Sequence, residues 1–468
     1  MRHLLIFSAI LIKIAITEKV LIIANGVNVD ETNYQLDIAN ALRSSADNIV
    51  DVIRINPADS TQSTLSEGSD VRVDVGADFK NFLSLSPEDE GYENDYFNFK
   101  DKLDRSLYSG FIQKSNIKNL KESEYDVIIH QHDDIYANGI AQHLNSRRII
   151  LTRNGAVTRG SLRAIGAQVF SSLLPDESQA IAVNHNHLDR AVSFLINGIQ
   201  WLKSYKPDKK LAFIGEKLDR VGKYFEATSL LVASSSHWEP TNLYPSNVIF
   251  ARTFKNETSK KNQSGTSVVV DIQNVPRELL NEIFSKFPTV SFVLTQQSSV
   301  STLPANVASS TLKTSISNAK LLITHGSHDT ILEAVQHGVP LLLIPRTNEE
   351  FRNADLTQLR GAAKVINPGN LTSEVFLEEI DKILHIGPMK EHVLQISKTV
   401  STPEAELLIR RAVKLSILQD KKLSLDECFF RIISADLFVL LVVVSLITRV
   451  LLKWYYWSCF ELNKLKLD

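Results

Sequence analysis

The chain has 468 residues, 44% of them hydrophobic, with 51 Lys and Arg against 53 Asp and Glu and a formal charge of −2. This balance excludes a globally basic nucleic-acid binder but permits a local positive patch, and the length is ample for two or three domains with sizeable cores. Two cysteines, Cys428 and Cys459, are too few for a disulfide framework or a thiolate metal site.

In residues 1–17, Arg2 and His3 precede the apolar run Leu4–Ile12, with Ala15 and Thr17 as small residues ahead of Glu18. The run is too short to span a bilayer but suits a cleaved signal peptide, although Lys13 interrupts it; a buried first strand is the alternative. Lys19–Ala24 then reads as a buried strand, followed by a helix around Tyr34–Leu42 with Tyr34, Ile38, Ala41 and Leu42 on one face. Val50–Ile55 is a second strand, ended by Pro57. Residues 58–95, rich in Ser, Asp, Glu and Gly, predict an excursion over the sheet edge. Further strands are expected at Asp126–Ile129, Arg148–Thr152, Leu230–Ala233 and Val248–Phe250.

Lys255–Thr266 contains no Leu, Ile, Val or aromatic residue and reads as a linker. It sets a boundary near residue 260, with an N-terminal domain over 18–260 and a C-terminal one over 261–425. Strand signals resume at Ser267–Val270, Thr289–Leu294, Lys320–Thr324 and Val339–Ile344. Helical patterns lie at Glu278–Phe287, Thr330–Val335 and Val375–Leu384. A last helix is expected over Ser401–Gln419, capped by Ser401 with Glu404. Its apolar stripe of Leu407, Leu408, Ala412, Leu415 and Leu418 would dock on one or both domains. The alternation of strands and helices predicts two α/β units, each a parallel sheet covered by helices, with a cleft between them.

Leu437–Trp457 is a 21-residue, mostly apolar segment ending in aromatic residues. It predicts a transmembrane helix, with Arg449 snorkelling toward headgroups and a basic cytosolic tail over 458–468. Together with a signal peptide, this arrangement would put the body in a lumen, where Asn256, Asn262 and Asn370 would be glycosylation acceptors.

The most specific stretch is Ile323–Ala354, ITHGSHDTILEAVQHGVPLLLIPRTNEEFRNA. A buried strand ends at Thr324, Gly326 permits a tight turn, and a helix begins near Asp329 or Thr330. Anions bind at such strand-to-helix junctions because unpaired N–H groups and the helix dipole converge there. Thr324-His325-Gly326, Asp329-Thr330, Glu333, Gly338-Val339-Pro340, Pro345, Glu349-Glu350 and Asn353-Ala354 together resemble the nucleotide-binding signature of the membrane-bound, glucuronosyltransferase-like UDP-glycosyltransferases.

The resemblance implies two facing Rossmann-like domains, the GT-B architecture, with a C-terminal transmembrane helix. It also implies endoplasmic-reticulum residence, held by the dilysine-like tail Lys464–Asp468. The function it implies is inverting transfer of a hexosyl group, glucose or glucuronate, from UDP-sugar to a small lipophilic acceptor, with no metal and no cofactor beyond the donor substrate. Membrane confinement would favour weak self-association. The acceptor would bind the N-terminal domain and UDP-sugar the C-terminal one. His325 would contact the diphosphate, Glu333 the ribose, and Glu349 and Glu350 the donor sugar. Gly326, Ser327, Asp329 and Thr330 would complete the cradle.

Transfer to a hydroxyl also needs a base, a group to orient it, and compensation of charge on the leaving UDP. The family's catalytic His and its orienting Asp are both replaced here, by Glu31 and Gln131. The candidate substitutes are Glu31, Asp134 and His132, beside His130 and Asp133. Two donor-side features also depart from the family. The stretch after Ser267 lacks the phosphate-loop glycines, and Val307–Ser310 stands where a uracil-stacking Trp is expected. These losses leave open a second expectation, a catalytically impaired relative that binds or assembles without turnover.

Overall fold

The computed structural model describes residues 18–45, 48–58, 69–75, 92–114, 117–144, 146, 148–166, 191–192, 227–239, 244–252, 267–272, 277–295, 304–385, 388–400, 404–418 and 444–453. The first of two parallel sheets comprises β1 (Glu18–Asn25), β2 (Asn48–Pro57), β3 (Ser69–Val73), β4 (Val127–Gln131), β5 (Ile149–Arg153), β6 (Ser229–Val232) and β7 (Val248–Phe250). Their spatial order is β3-β2-β1-β4-β5-β6-β7. Helices α1 (Val29–Arg43), α2 (Tyr92–Lys114), α3 (Ile117–Glu122), α4 (Ile135–His143) and α5 (Arg159–Arg163) accompany it.

The second sheet comprises β8 (Ser267–Asp271), β9 (Ser291–Leu294), β10 (Val307–Ser309), β11 (Ala319–Thr324), β12 (Leu341–Leu343) and β13 (Ala363–Val365), in the order β10-β9-β8-β11-β12-β13. With it come α6 (Arg277–Lys286), α7 (Leu312–Ile316), α8 (His328–Gln336), α9 (Asn348–Leu359), α10 (Ser373–His385), α11 (Pro388–Val400) and α12 (Ala405–Leu418).

Strands β1 and β4 are apolar on both faces because helices cover both sides, and their side chains are buried from Val20 to Ala24 and from Val127 to Ile129. α1 starts at Val29, earlier than its apolar spacing suggested, because Asn28 caps it by accepting from Glu31 N at 3.1 Å. Residues 58–95 contain a strand that their polarity concealed. β3 pairs with β2 alone, at the sheet edge, where only one flank requires a partner. The predicted linker Lys255–Thr266 lies outside the described residues.

The two sheets are bolted together by side chains of their loops. Trp238, beyond β6 of the first sheet, is 1% exposed and sits in the core of the second, among Val269, Leu322 and Leu332. Arg360 at the end of α9 holds this plug by donating to the Trp238 carbonyl at 3.2 Å and the Glu239 carbonyl at 2.6 Å. In the reverse direction α12 returns to the first sheet. Ala405, Ile409, Ala412 and Val413 pack under β4, β5 and β6, and Arg410 donates to the Ala41 carbonyl. The expected stripe is therefore rotated, since Leu407 and Leu415 face outward. The proposed Ser401 cap lies outside the described residues.

The membrane expectations require correction. Among the described residues no helix is long and apolar enough to cross a membrane. Of the predicted span 437–457, residues 444–453 are described, and they are helical and exposed; the remainder, like residues 1–17 and 458–468, lies outside the described residues. The transmembrane element of the expected fold, membrane anchoring, and the endoplasmic-reticulum, lumen-facing placement built on it are withdrawn, and with them the membrane-bound branch of the resemblance. Asn370 is exposed in a short 3-10 turn, whereas Asn256 and Asn262 fall outside the described residues.

Candidate functional site

In a doubly wound sheet, ligands bind outside the carboxyl ends of the strands, where the strand order reverses. The two switch points are between β1 and β4 in the first sheet and between β8 and β11 in the second. The loops leaving β1, β5, β11 and β12 meet around one cavity of about 310 Å³. Val27 to Asp30, Lys100 and Asn154 line it from the first sheet; Ser327, His328, Asp329, Thr347, Glu349, Glu350 and Asn353 line it from the second. Its volume is near the lower end of the ~300–1,000 Å³ common for small-molecule sites. A cavity of about 280 Å³ at Pro288–Ser291 and Ala305–Ala308 lies at the amino ends of β9 and β10, the wrong end for such a site.

The turn after β11 is built as its residues require. Gly326 has φ +102°, a left-handed conformation costly for other residues. Ser327 caps α8, its Oγ accepting from Thr330 N at 3.4 Å and donating to Thr330 Oγ1 at 2.8 Å. The N–H groups of His328 and Asp329 are the first two of the helix and have no acceptor within it. They supply the anion-favouring pole, but Asp329 carries a negative charge there. Arg252, just beyond β7, offsets it with a 2.7 Å ion pair to Asp329 Oδ1.

His325 does not line the cavity. Its Nδ1 donates to the Ile344 carbonyl at 2.8 Å and turns the ring toward the end of β12. Gly326, Thr330 and Glu333 are also outside the cavity wall, whereas Ser327, Asp329, Glu349 and Glu350 belong to it. The Glu350 carboxylate closes a capping box on α9, accepting from Arg346 N at 2.7 Å and Thr347 N at 3.1 Å. Glu349 is exposed and reaches across the cleft to the loop after β5. There Gly155, at φ +155°, admits it: a Cβ at position 155 would stand 3.2 Å from Glu349 Oε1.

Behind the facing wall, Glu31 is 2% exposed. One carboxylate oxygen accepts from Thr152 Oγ1 and the other from Asn154 N at 2.6 Å, and Gln35 Nε2 donates to the same Thr152 hydroxyl at 3.0 Å. Burial raises the Glu31 pKa, and the two hydrogen bonds oppose that rise. Asp134 caps α4 by accepting from Ala137 N at 2.9 Å and accepts a second bond from Tyr108 OH. Burial, and then the Asp104 charge, push its carboxyl up to about 7. The charge beside Asp134 is therefore Asp104, while the carboxylate that acts on Glu31 is Asp133. The His132 Nε2 accepts from Arg153 Nη1 at 2.6 Å, and His130 is fully buried, with burial lowering its pKa to about 4. None of Glu31, Asp134 and His132 lines the cavity.

Two wall residues were absent from the sequence-based candidates although they lie in the signature. His328 is 4% exposed; its ring is bonded to the Ala233 carbonyl, its Nε2 has no partner, and burial followed by the Arg252 and Arg153 charges lowers its pKa to about 3. It is therefore a neutral imidazole with an open acceptor nitrogen. Asn353 is 3% exposed and donates from Nδ2 to the Gly326 carbonyl at 3.1 Å, leaving Oδ1 without a partner. The clue to both was their position in the signature. Arg252 and Asn154 had none, being polar residues beside strand ends. Among the described residues, no group of three or more His, Cys, Asp or Glu is placed to hold a metal ion.

Comparison with known proteins agrees with this geometry. Residues 316–403 match the family described as UDP-glucoronosyl and UDP-glucosyl transferase. UDP-glucuronosyltransferase 2A3 of Homo sapiens is 27% identical over 153 residues, covering 31% of this chain and 29% of that protein. A UDP-glucuronosyltransferase of Pleuronectes platessa is 34% identical over 80 residues, 17% of each chain. The chain thus spans less than a third of the length of either relative.

Among solved structures, the spinosyn forosaminyltransferase SpnP superposes with TM-score 0.58 at 15% identity, covering 86% of this chain and 100% of that one. The glycosyltransferase VinC, solved in complex with DTDP, gives TM-score 0.57 at 15% identity over 85% and 100%. These likenesses establish the paired-sheet GT-B fold, and the sequence matches establish homology to UDP-sugar-dependent glycosyltransferases.

Proposed function

We propose that this protein transfers a hexosyl group from a UDP-sugar to a small lipophilic acceptor, with inversion by direct displacement. The observation that carries this reading is the N-terminal turn of α8 facing the β1–α1 loop across one cavity at both switch points. In this reading the region up to about residue 260 supplies the acceptor side, and the region beyond it the UDP-sugar side. The diphosphate lies against the first N–H groups of α8, with Arg252 offsetting Asp329, and the sugar lies toward Glu349 and Glu350. His325 supports the turn through Ile344, and Thr330 and Glu333 act behind it. Glu31 is the base: burial raises its pKa, the direction general-base work on a hydroxyl requires, and Thr152 and Asn154 fix its orientation. Asp134 and His132 serve as positioning groups.

One observation favours a second reading. Both Glu31 oxygens are engaged inside the fold, so an acceptor hydroxyl reaches the carboxylate only if the Val27–Asp30 loop moves. A protein that binds its ligand without turnover needs no such motion. The full-length protein, incubated with a panel of UDP-sugars and phenolic or alcoholic acceptors beside UDP calorimetry, separates the two. Glycoside formation is the expected result. UDP binding without product supports the second reading, and absence of both binding and transfer overturns each.

A further inference from the structure

We infer that Gln35 is a positioning residue for Glu31 and acts through the Thr152 hydroxyl. It holds the single proton of that hydroxyl on the carboxylate, and when Glu31 is protonated Thr152 turns to the His130 carbonyl. The inference rests on the reading of Glu31 as the base and adds the group that directs it. Gln35 stands one turn after Glu31 on α1, so both side chains leave the same face of the helix. Gln35 is 1% exposed and Thr152 is fully buried. The Gln35 amide donates from Nε2 to Thr152 Oγ1 at 3.0 Å, and Thr152 Oγ1 donates to Glu31 Oε1. The Gln35 Oε1 has no partner. Leu or Met at this depth would leave no orphaned acceptor, so the amide costs stability and its donor is what the position retains.

A hydroxyl has one proton and two lone pairs, an amide nitrogen only donates, and a carboxylate only accepts. Between Gln35 Nε2 and ionised Glu31, Thr152 must therefore accept from the first and donate to the second. A hydroxyl that receives a hydrogen bond is the stronger donor, so Gln35 strengthens the bond that orients Glu31. During transfer the acceptor oxygen bonds to the anomeric carbon, the bond to the UDP oxygen breaks with its electron pair, and the acceptor's proton passes to Glu31. With that proton on Oε1, Glu31 becomes the donor, and Thr152 Oγ1 accepts from both Glu31 and Gln35. The Thr152 proton then has an acceptor in the His130 carbonyl, 3.4 Å away. Asn154 N stays on the other carboxylate oxygen throughout. Other titratable or charged groups around Glu31 are Asp30 and Tyr34 on α1, His130, His132 and Asp133 at and beyond β4, and Arg153 on β5. None of these side chains bonds to Thr152.

The test compares the full-length protein with Gln35→Met, which keeps the volume and loses the donor, with Thr152→Val, and with the pair combined. One readout is the pH profile of kcat for transfer from UDP-glucose to a simple phenol, whose acidic limb marks loss of the Glu31 proton. The other needs no turnover: the pH dependence of stability relative to Glu31→Gln in the same background. Burial holds the folded Glu31 above its ordinary value, so its stabilising contribution is complete at low pH and is lost as pH rises through the folded pKa. Gln35→Met should move that loss, and the acidic limb, upward by about half a pH unit, and Thr152→Val by about one, with KM changed less than about twofold. In the Thr152→Val background Gln35→Met should move neither. If Gln35→Met leaves the stability loss unmoved, or moves it equally without the Thr152 hydroxyl, the positioning role is refuted while Glu31 as base stands. If the stability loss moves but turnover is absent or its acidic limb is fixed, Gln35 acts on Glu31 and the parent reading of Glu31 as base falls.

Discussion

The Arg252 guanidinium donates to Asp329 Oδ1 at 2.7 Å and to the Asp329 carbonyl at 3.1 Å, tying the exit of β7 to the first turn of α8. The ion pair joins the two sheets and offsets a carboxylate at the helix end where an anionic ligand would sit. Arg252→Ala should remove both effects, weakening UDP binding about tenfold and costing ~1–3 kcal/mol of stability. Asp329→Asn should act oppositely on the ligand, tightening UDP several-fold. Calorimetry with a thermal melt checks both; equal UDP affinity in both variants would show that the turn does not meet the diphosphate.

Ser327 uses its hydroxyl on the Thr330 N–H, one of the donors an anion would otherwise engage. Ser327→Gly should cost only a few tenths of a kcal/mol, because glycine is a tolerable cap, whereas Ser327→Ala should cost about 1 kcal/mol. The glycine variant should bind UDP more tightly than wild type. Parallel urea melts and UDP titrations measure the pair.

Trp238 fills the second sheet's core from a loop of the first. Trp238→Ala should leave a large void and cost ~3–5 kcal/mol. Because the plug bridges both halves, the loss should lower the melting temperature of the whole molecule in a single transition. Two separated transitions would show that the halves unfold independently of it.

Asp134 has its carboxyl pushed up to about 7 from an ordinary 3.8. Below about pH 4 both folded and unfolded states hold the proton, so its contribution to stability is complete. Between the two values only the folded state holds it, and the contribution declines until about pH 7. Asp134→Asn keeps a good cap and removes the titration, so stability should fall less steeply from pH 5 to 7. Part of the slope should persist, because burial also raises Glu239 to about 7. Denaturant midpoints across this range report the difference.

Glu31 separates the catalytic reading from the binding one. In the transferase reading, Glu31→Gln should lower kcat about 10²–10⁴-fold. Thr152→Val, which removes the hydroxyl that orients the carboxylate, should lower it less. Both should lose about 1–3 kcal/mol of stability in either reading. A Glu31→Gln protein with wild-type turnover would remove Glu31 from the chemistry.

The strands that form the centres of both sheets were legible because burial on two faces demands continuous apolar runs, as in Lys19–Ala24 and Lys320–Thr324. Of the edge strands among the described residues, β7 was legible as Val248–Phe250, whereas β3, β10 and β13 were not, since a strand paired on one side tolerates polar residues. Val307–Ser309, read as the place of a missing aromatic, is such an edge strand. The α8 turn was legible from Gly326 and its flanking residues. His325 and Glu333 suggested contact with a ligand, yet the backbone carbonyl of Ile344 holds the His325 ring, and Glu333, a full turn beyond Asp329 along α8, lies outside the cavity wall. The membrane helix was inferred from apolar length alone, and among the described residues no helix is long and apolar enough to cross a membrane.

From the sequence alone came the alternation of apolar runs and helical stripes, and with it two parallel sheets, the glycine-dependent turn after β11, and the resemblance carried by Ile323–Ala354. All of these are local, because they depend on residues within a few turns of one another. The tertiary structure alone decided that Trp238 belongs to the opposite core, that Arg252 meets Asp329, and that His328 and Asn353 belong to the cavity wall. It also decided that Glu31 is held by Thr152 and Asn154. Each of these depends on loops from strands distant in sequence, which parallel pairing brings to one end of their sheets. No periodicity within the chain encodes which side chains then come into contact.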